Sequence, residues 1–285
     1  MLALMLSLSS FAQRTEAFDA QPRDLIPAPP GTNLGLIYYN HENYNNYVDQ
    51  NAHDVPNSKL TVDVMIPRYT RYFELGNIPA AFDIYLPVGG YSESQIGGAD
   101  LSSKDFSLGD TALGLLLWSM SNPEEHQHLA FATYIILPTG EYHSGTDINF
   151  GANLWSIIFQ SGIAVPLSER WSVELVADIT IYGNNDDGPG GLTVEQDPSI
   201  TALSWLNYLV APGSTASFGL KTAQFGKKST NNMSLGSGHS TRIRAAYSLM
   251  IKPSIQVLIQ VDRDVSVENA FEKESGVLIR LSRFF

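Results

Sequence analysis

The sequence predicts an all-β protein, a transmembrane antiparallel β-barrel of about 12 strands. Three observations carry this expectation. Apolar and polar residues alternate with period two in segment after segment. Those segments run to about ten residues, whereas ordinary strands run to about five or six and a tilted membrane strand needs about nine to eleven. The connections between them alternate between long and short.

The stretch WSVELVADITIY, residues 171–182, shows the alternation most clearly. Trp171, Val173, Leu175, Ala177, Ile179 and Ile181 share one face, and Ser172, Glu174, Asp178, Thr180 and Tyr182 share the other. Comparable segments lie near residues 32–41, 60–74, 80–88, 108–118, 128–138, 155–165, 200–209, 216–225, 241–250, 254–263 and 276–285. Ile255, Val257, Ile259 and Val261 oppose Gln256, Gln260 and Asp262; Phe82, Ile84, Leu86 and Val88 oppose Asp83 and Tyr85. In 60–74, Pro67 breaks the alternation and a bulge is expected, because strict parity through it would turn Arg68 toward lipid.

The first connection, NHENYNNYVDQNAHDVPNSK, is long, the next, LGNIP, is short, and the pattern persists to the long SVENAFEKES. Short connections carry Pro, Gly, Asn or Ser, as turns should. Tight periplasmic turns and free outer loops produce this asymmetry in a membrane barrel, and a soluble sandwich has no reason for it. Lipid offers no hydrogen bonds, so the sheet must close and its last strand must pair with its first. The ending SGVLIRLSRFF fits such a seam: Val277, Ile279 and Leu281 form its apolar face, and Phe285 falls at the periplasmic interface, where aromatic rings gather. Arg283 shares the outer face near the rim, where snorkelling makes the cost roughly zero to one kcal/mol.

Composition agrees. Only 16% of the 285 residues are charged and the net charge is −12. That disfavours nucleic acid, which needs a basic patch. The absence of cysteine removes disulfides, thiol chemistry and cysteine–zinc sites. Residues 1–12 read as the remnant of a secretory signal peptide, with LALMLSLSSFA as its apolar core. Residues 13–31 are Pro-rich and read as a periplasmic segment, with a plug folded into the lumen as the alternative. Residues 32–285 form the barrel.

The stretches IPAPPGTN (26–33), SLGDTALGLLLW (107–118), LPTGEY (137–142), ITIYGNNDD (179–187), EQDPS (195–199) and RDVSVENAF (263–271) resemble the outer-membrane transporters named for the meta-pathway of phenol degradation. The likeness covers nearly all of the mature chain in order. It implies a place in the bacterial outer membrane among lipids and lipopolysaccharide, and uptake of small molecules, with aromatic compounds suggested by the family's name. It also implies recognition of Phe285 by the outer-membrane insertion machinery. Arg283 departs from the family pattern, which places a bulky aromatic there.

Parity assigns Asp63, Asp83, Asp110, Glu174, Asp178, Lys221, Arg242, Arg244, Gln256, Gln260, Asp262 and Arg280 to the lumen. Paired charges there would select solutes in a wet pore, or would form salt bridges that fill the barrel; the two are compatible. Glu124, Glu125, His126 and His128 match no strong zinc spacing and read as a solvated turn. Asn184 and Asp186 are spaced like ligands of a calcium loop, but Gly188 and Glu195 fall out of register with one. No metal or cofactor is expected. The pairs His143–Ser144 and His239–Ser240 lie in outer loops, and sequence neighbours point to opposite sides of an extended chain. With no nucleophile elbow and no phosphate-binding loop, an enzyme is not expected. The function predicted is passive passage of small molecules; a membrane lipid hydrolase and a sealed structural barrel are the alternatives.

Overall fold

The computed structural model describes residues 19–231 and 233–285. The signal-peptide reading of residues 1–12 lies outside them. Twelve long strands form the wall: β1 (Asn33–Val48), β2 (Lys59–Leu75), β3 (Ile78–Tyr85), β4 (Ala112–Asn122), β5 (Gln127–Ile136), β6 (Ser156–Pro166), β7 (Trp171–Tyr182), β8 (Ser199–Ala211), β9 (Ser214–Thr230), β10 (Met233–Lys252), β11 (Ile255–Glu268) and β12 (Ala270–Phe284). Each pairs antiparallel with the next, and β12 pairs back with β1 from Leu34↔Phe284 up to Val48↔Ala270. The sheet is closed. Below that ladder, Asn33 and Phe285 exchange both backbone hydrogen bonds, at 2.8 and 2.9 Å.

The alternation written in the sequence is the alternation of the wall. On β7, Leu175, Ala177, Ile179 and Ile181 are exposed on the outer face, while Glu174 and Val176 are buried inside. Ile259, Val261, Ile279 and Leu281 continue the outer band on β11 and β12. Acyl chains meet this face, and the backbone behind it is satisfied by the ladder.

The five turns at the end that carries the seam of Asn33 and Phe285 are short; three of them reverse within two residues, two through left-handed glycines, Gly76 (φ 64°) and Gly213 (φ 76°). Only glycine adopts that left-handed backbone without strain. At the opposite end, residues 86–111 and 137–155 are long excursions. Within the first, Val88–Ile96 continues along the upper half of β2.

Three expectations are corrected. Pro67 makes no bulge: the β1–β2 register runs unbroken from Asn33↔Arg71 to Tyr44↔Leu60. Parity therefore holds through Pro67, and the assignment of faces on β2 is reversed. Leu60, Val62, Val64 and Ile66 face the lumen with Arg68, and Asp63 faces outward. The two last outer connections, expected as long loops, are tall hairpins: β9 and β10 pair up to Thr230↔Met233, and β11 and β12 are separated only by Asn269 (φ 51°). Their upper parts stand beyond the apolar band, so the ladder continues there without a greasy face to betray it.

On the lipid face, Ile179→Arg should lower the unfolding free energy in detergent or lipid by roughly 2–4 kcal/mol. Asp178→Asn, on the inward face of the same strand, should leave it nearly unchanged. Equal costs in denaturant titrations of the two variants would mean the faces are assigned wrongly.

Candidate functional site

Residues 19–30 do not hang in the periplasm. This part of the Pro-rich segment enters the barrel and crosses its lumen as a strap, which corrects the tail reading for these residues. Buried charge drives the placement. Asp19 takes Lys221 Nζ at 2.7 Å and Arg244 Nη2 at 2.5 Å. Asp24 takes Arg280 Nη1 at 2.7 Å, with Arg68 Nη1 at 3.9 Å. Those four cations come from β9, β10, β12 and β2, so the charge pairs span about half of the circumference. The Arg23 backbone N–H donates to Glu174 Oε2 at 2.9 Å. Two indoles complete the seat: Trp118 Nε1 donates to the Leu25 carbonyl at 2.8 Å and Trp205 Nε1 to the Ala20 carbonyl at 2.9 Å. Gly219 leaves room for the Trp205 ring, since a Cβ there would stand 2.6 Å from Cε3.

The other residues assigned to the lumen fall as follows. Asp83 is fully buried and pairs with Arg68 Nη2 at 2.7 Å, with the Thr70 hydroxyl donating to its second oxygen. Gln256 accepts from Arg280 Nη2 at 2.9 Å. Asp178 faces the open part of the lumen. Asp110 stands just before β4, not on it, and its carboxylate accepts the N–H groups of Gly140 and Ala152, both at 2.8 Å. It clasps the 137–155 excursion to the wall. Asp63 is the clear departure. On the outer face it accepts from Tyr39 Oη at 2.7 Å and lies 2.8 Å from His41 Nδ1, so its polarity is met by neighbours on β1.

Higher in the lumen lies a second charge cluster. The fully buried Lys273 places Nζ 2.7 Å from Glu42 Oε1 and 3.1 Å from Asp262 Oδ1. Arg242 grips Asp264 through Nε at 2.7 Å and Nη2 at 3.2 Å. Gln260 donates to Asp262 at 3.0 Å, and Tyr44 donates to Glu42 at 2.5 Å. Parity does not pick out Lys273 and Glu42, because both lie beyond the segments that alternate clearly.

Between this cluster and the strap is a cavity of about 170 Å³. One arc of its wall is apolar, with Val62, Val64, Ile136 and Ile158. The facing arc is polar, with Gln160, Asp178, Thr201, Lys221 and Arg242. Asp19 of the strap also lines it, so the strap forms part of its boundary.

The outer loops are held by separate contacts. The Lys104 ammonium donates to Glu141 at 2.8 Å and holds that carboxyl below its usual range. Backbone N–H groups of His53 and Asn51 do the same for Asp49. Asn185 anchors its loop by accepting from Asn153 at 2.9 Å. His143 and His239 do not meet each other's serines. His239 instead places Nε2 3.1 Å from Ser266 Oγ and Nδ1 3.5 Å from Glu268 Oε2, half-exposed on the outward side of the β10–β11 ridge. Among the described residues, no group of three or more His, Asp or Glu is placed to hold a metal ion.

The family model described as "Putative MetA-pathway of phenol degradation" matches residues 45–281. The chain belongs to this family. Among solved structures, it is similar to the COG4313 outer membrane channel from Pseudomonas putida F1, with 27% identity and a TM-score of 0.89 over 94% of this chain and 100% of that one. A Pseudomonas aeruginosa FadL homologue matches more loosely, with 10% identity and a TM-score of 0.44 over 95% of this chain and 93% of that one. No curated protein matches. With the closed barrel, the family and the Pseudomonas putida channel make this chain a protein of the bacterial outer membrane with a channel-type fold.

Lys273→Ala should cost about 3–5 kcal/mol in denaturant unfolding, because it leaves buried carboxylates uncompensated. A cost below about 1 kcal/mol would mean that Glu42 and Asp262 are hydrated.

Proposed function

We propose that the protein is a channel for passive entry of small molecules with an apolar body, aromatic compounds among them, with no covalent step and no cofactor. The observation that carries this reading is the two-sided cavity. Its apolar arc offers a solute body a place to leave water, at roughly 25 cal/mol per Å² buried. Its polar arc offers hydrogen bonds to a hydroxyl or carbonyl group. The cations on the polar arc already face carboxylates: Lys221 with Asp19, and Arg242 with Asp264. An uncharged solute therefore fits better than an anion. The family's description and the similar channel from Pseudomonas putida support the same reading. The lumen charges Asp83, Glu174, Asp178, Lys221, Arg242, Arg244, Asp262 and Arg280 would then act as a field and as structural pairs, and the amides Gln256 and Gln260 as hydrogen-bond partners, not as reactants. Phe285, whose side chain is exposed at the seam, would serve recognition by the insertion machinery.

The hydrolase alternative has one observation in its favour, the line of Ser266, His239 and Glu268. A nucleophile, a base and an orienting carboxylate also need a donor pocket for the developing oxyanion and a cleft for the ester. The three side chains stand on an open ridge, and neither they nor their neighbours on its outer face line the lumen cavity.

Proteoliposomes with lipopolysaccharide in the outer leaflet provide the test. A labelled neutral aromatic alcohol should enter faster than glucose, and Ile158→Asn should slow its entry about ten-fold. Phospholipid incubated with the same protein should release no fatty acid. Equal entry of the two solutes would overturn the solute class, and fatty-acid release lost in His239→Ala would favour the enzyme.

A further inference from the structure

We propose that residues 19–30 are a displaceable gate, held shut by the carboxylates of Asp19 and Asp24. This rests on the channel reading above, since a sealed barrel would need no gate.

The strap has the attachments of a latch, not of a wall. It contributes no strand to the sheet, which begins at Asn33. Its own backbone bonds are local, such as Asp24 N–H to the Gln21 carbonyl at 3.0 Å. What ties it to the wall is a few charge pairs and single hydrogen bonds; the pairs are buried and hold firmly until water reaches both partners. A strand in a barrel can leave only by breaking a whole ladder; this segment can leave by exchanging two carboxylates and the three single hydrogen bonds to Glu174, Trp118 and Trp205.

The seat is also imperfect. Gln21 is completely buried, yet neither its side-chain oxygen nor its nitrogen meets a partner in the protein. Arg23 holds a left-handed backbone at φ 70°. Both carry a cost that a hydrated, relaxed strap would not. A segment selected only to fill the lumen would be expected to satisfy its buried amide.

Geometry supplies the hinge and the purpose. Gly31, at φ 91°, is the fixed end: its N–H donates to the Tyr72 carbonyl at 2.9 Å and its carbonyl accepts from Arg71 Nη1 at 2.6 Å, so the strap pivots on the neck just ahead of it. Pro27, Pro29 and Pro30 keep the neck extended, so rotation there carries the whole strap. Because Asp19 also lines the cavity, a solute resting there touches the latch itself. The strap lies on the seam side of the cavity, toward the short turns, so leaving for the periplasm requires it to move.

The absence of native cysteine makes a clean test possible. A Cβ on Gly162 would sit 2.6 Å from Leu25 Cδ2, so Leu25→Cys with Gly162→Cys places two cysteine side chains facing each other, and disulfide formation is confirmed by thiol titration before recording. Full-length protein in planar bilayers is compared oxidised and reduced, alone and with Asp19→Asn plus Asp24→Asn. The double Asn variant should raise ion conductance at least five-fold and shift it toward anions, since Lys221, Arg244 and Arg280 lose their counter-charges on the strap. Oxidising the cysteine pair in that background should return conductance to the native level, and reduction should restore it. In the otherwise native chain, oxidation alone should abolish residual openings, which keeps the test valid if the charge variant folds poorly. Native conductance in the double Asn variant, or undiminished current with the disulfide formed, would overturn the gate. Ion current reads the gate whatever the solute: loss of aromatic uptake with these responses intact would count against the solute class alone.

Discussion

One constraint organises this molecule: inside the hydrocarbon layer, every backbone N–H and C=O must find its partner within the protein. A sheet meets that demand only by closing on itself, and here it closes where β1 meets β12, from Leu34↔Phe284 to Val48↔Ala270. Closure fixes the rest. It gives each strand one face for lipid and one for the interior. It also sends all the chain's irregular backbone to the two ends, where water is available, or into the lumen, where wall side chains meet it.

The interior then faces a problem of its own. A wall of this size encloses more polar side chains than a sealed core tolerates, and an isolated buried charge costs several kcal/mol. The chain answers with two clusters in which charges are matched. Below, Asp19 and Asp24 come in from outside the sheet to meet Lys221, Arg244, Arg280 and Arg68. Above, Glu42, Asp262 and Asp264 meet Lys273 and Arg242 within the wall. The space left between them is where a small solute can sit. On the proposed channel reading, occlusion and passage arise from the same electrostatics.

Much of the fold is legible in the sequence because lipid enforces period two so strictly. WSVELVADITIY names its strand, its length and its faces at once. The strand at 59–75 misleads for a physical reason: its lumen face, Leu60, Val62, Val64 and Ile66, is as apolar as a lipid face, and Leu60, Val62 and Val64 line the greasy arc of the cavity. Its outward Asp63 is made tolerable by Tyr39 and His41, partners that only the register of β1 and β2 brings close. The strap is illegible in a different way. Residues 19–30 have no period, and their placement depends on cations that, apart from Arg68, lie 202 to 256 residues away in sequence. Trp118 and Trp205 offer a hint, since both fall on inward parity, where an indole N–H must find an acceptor. The tall hairpins escape notice because beyond the membrane neither face needs to be apolar.

The division of faces is the claim on which everything else rests, and collision accessibility measures it most directly. Single cysteines placed one at a time from Val277 to Arg283 carry a spin label, and relaxation by oxygen, which concentrates in lipid, is recorded in bilayers. The account predicts a period of two, with high oxygen accessibility at 277, 279 and 281 and low values at 278, 280 and 282. A flat profile, or one with the even positions high, would contradict it.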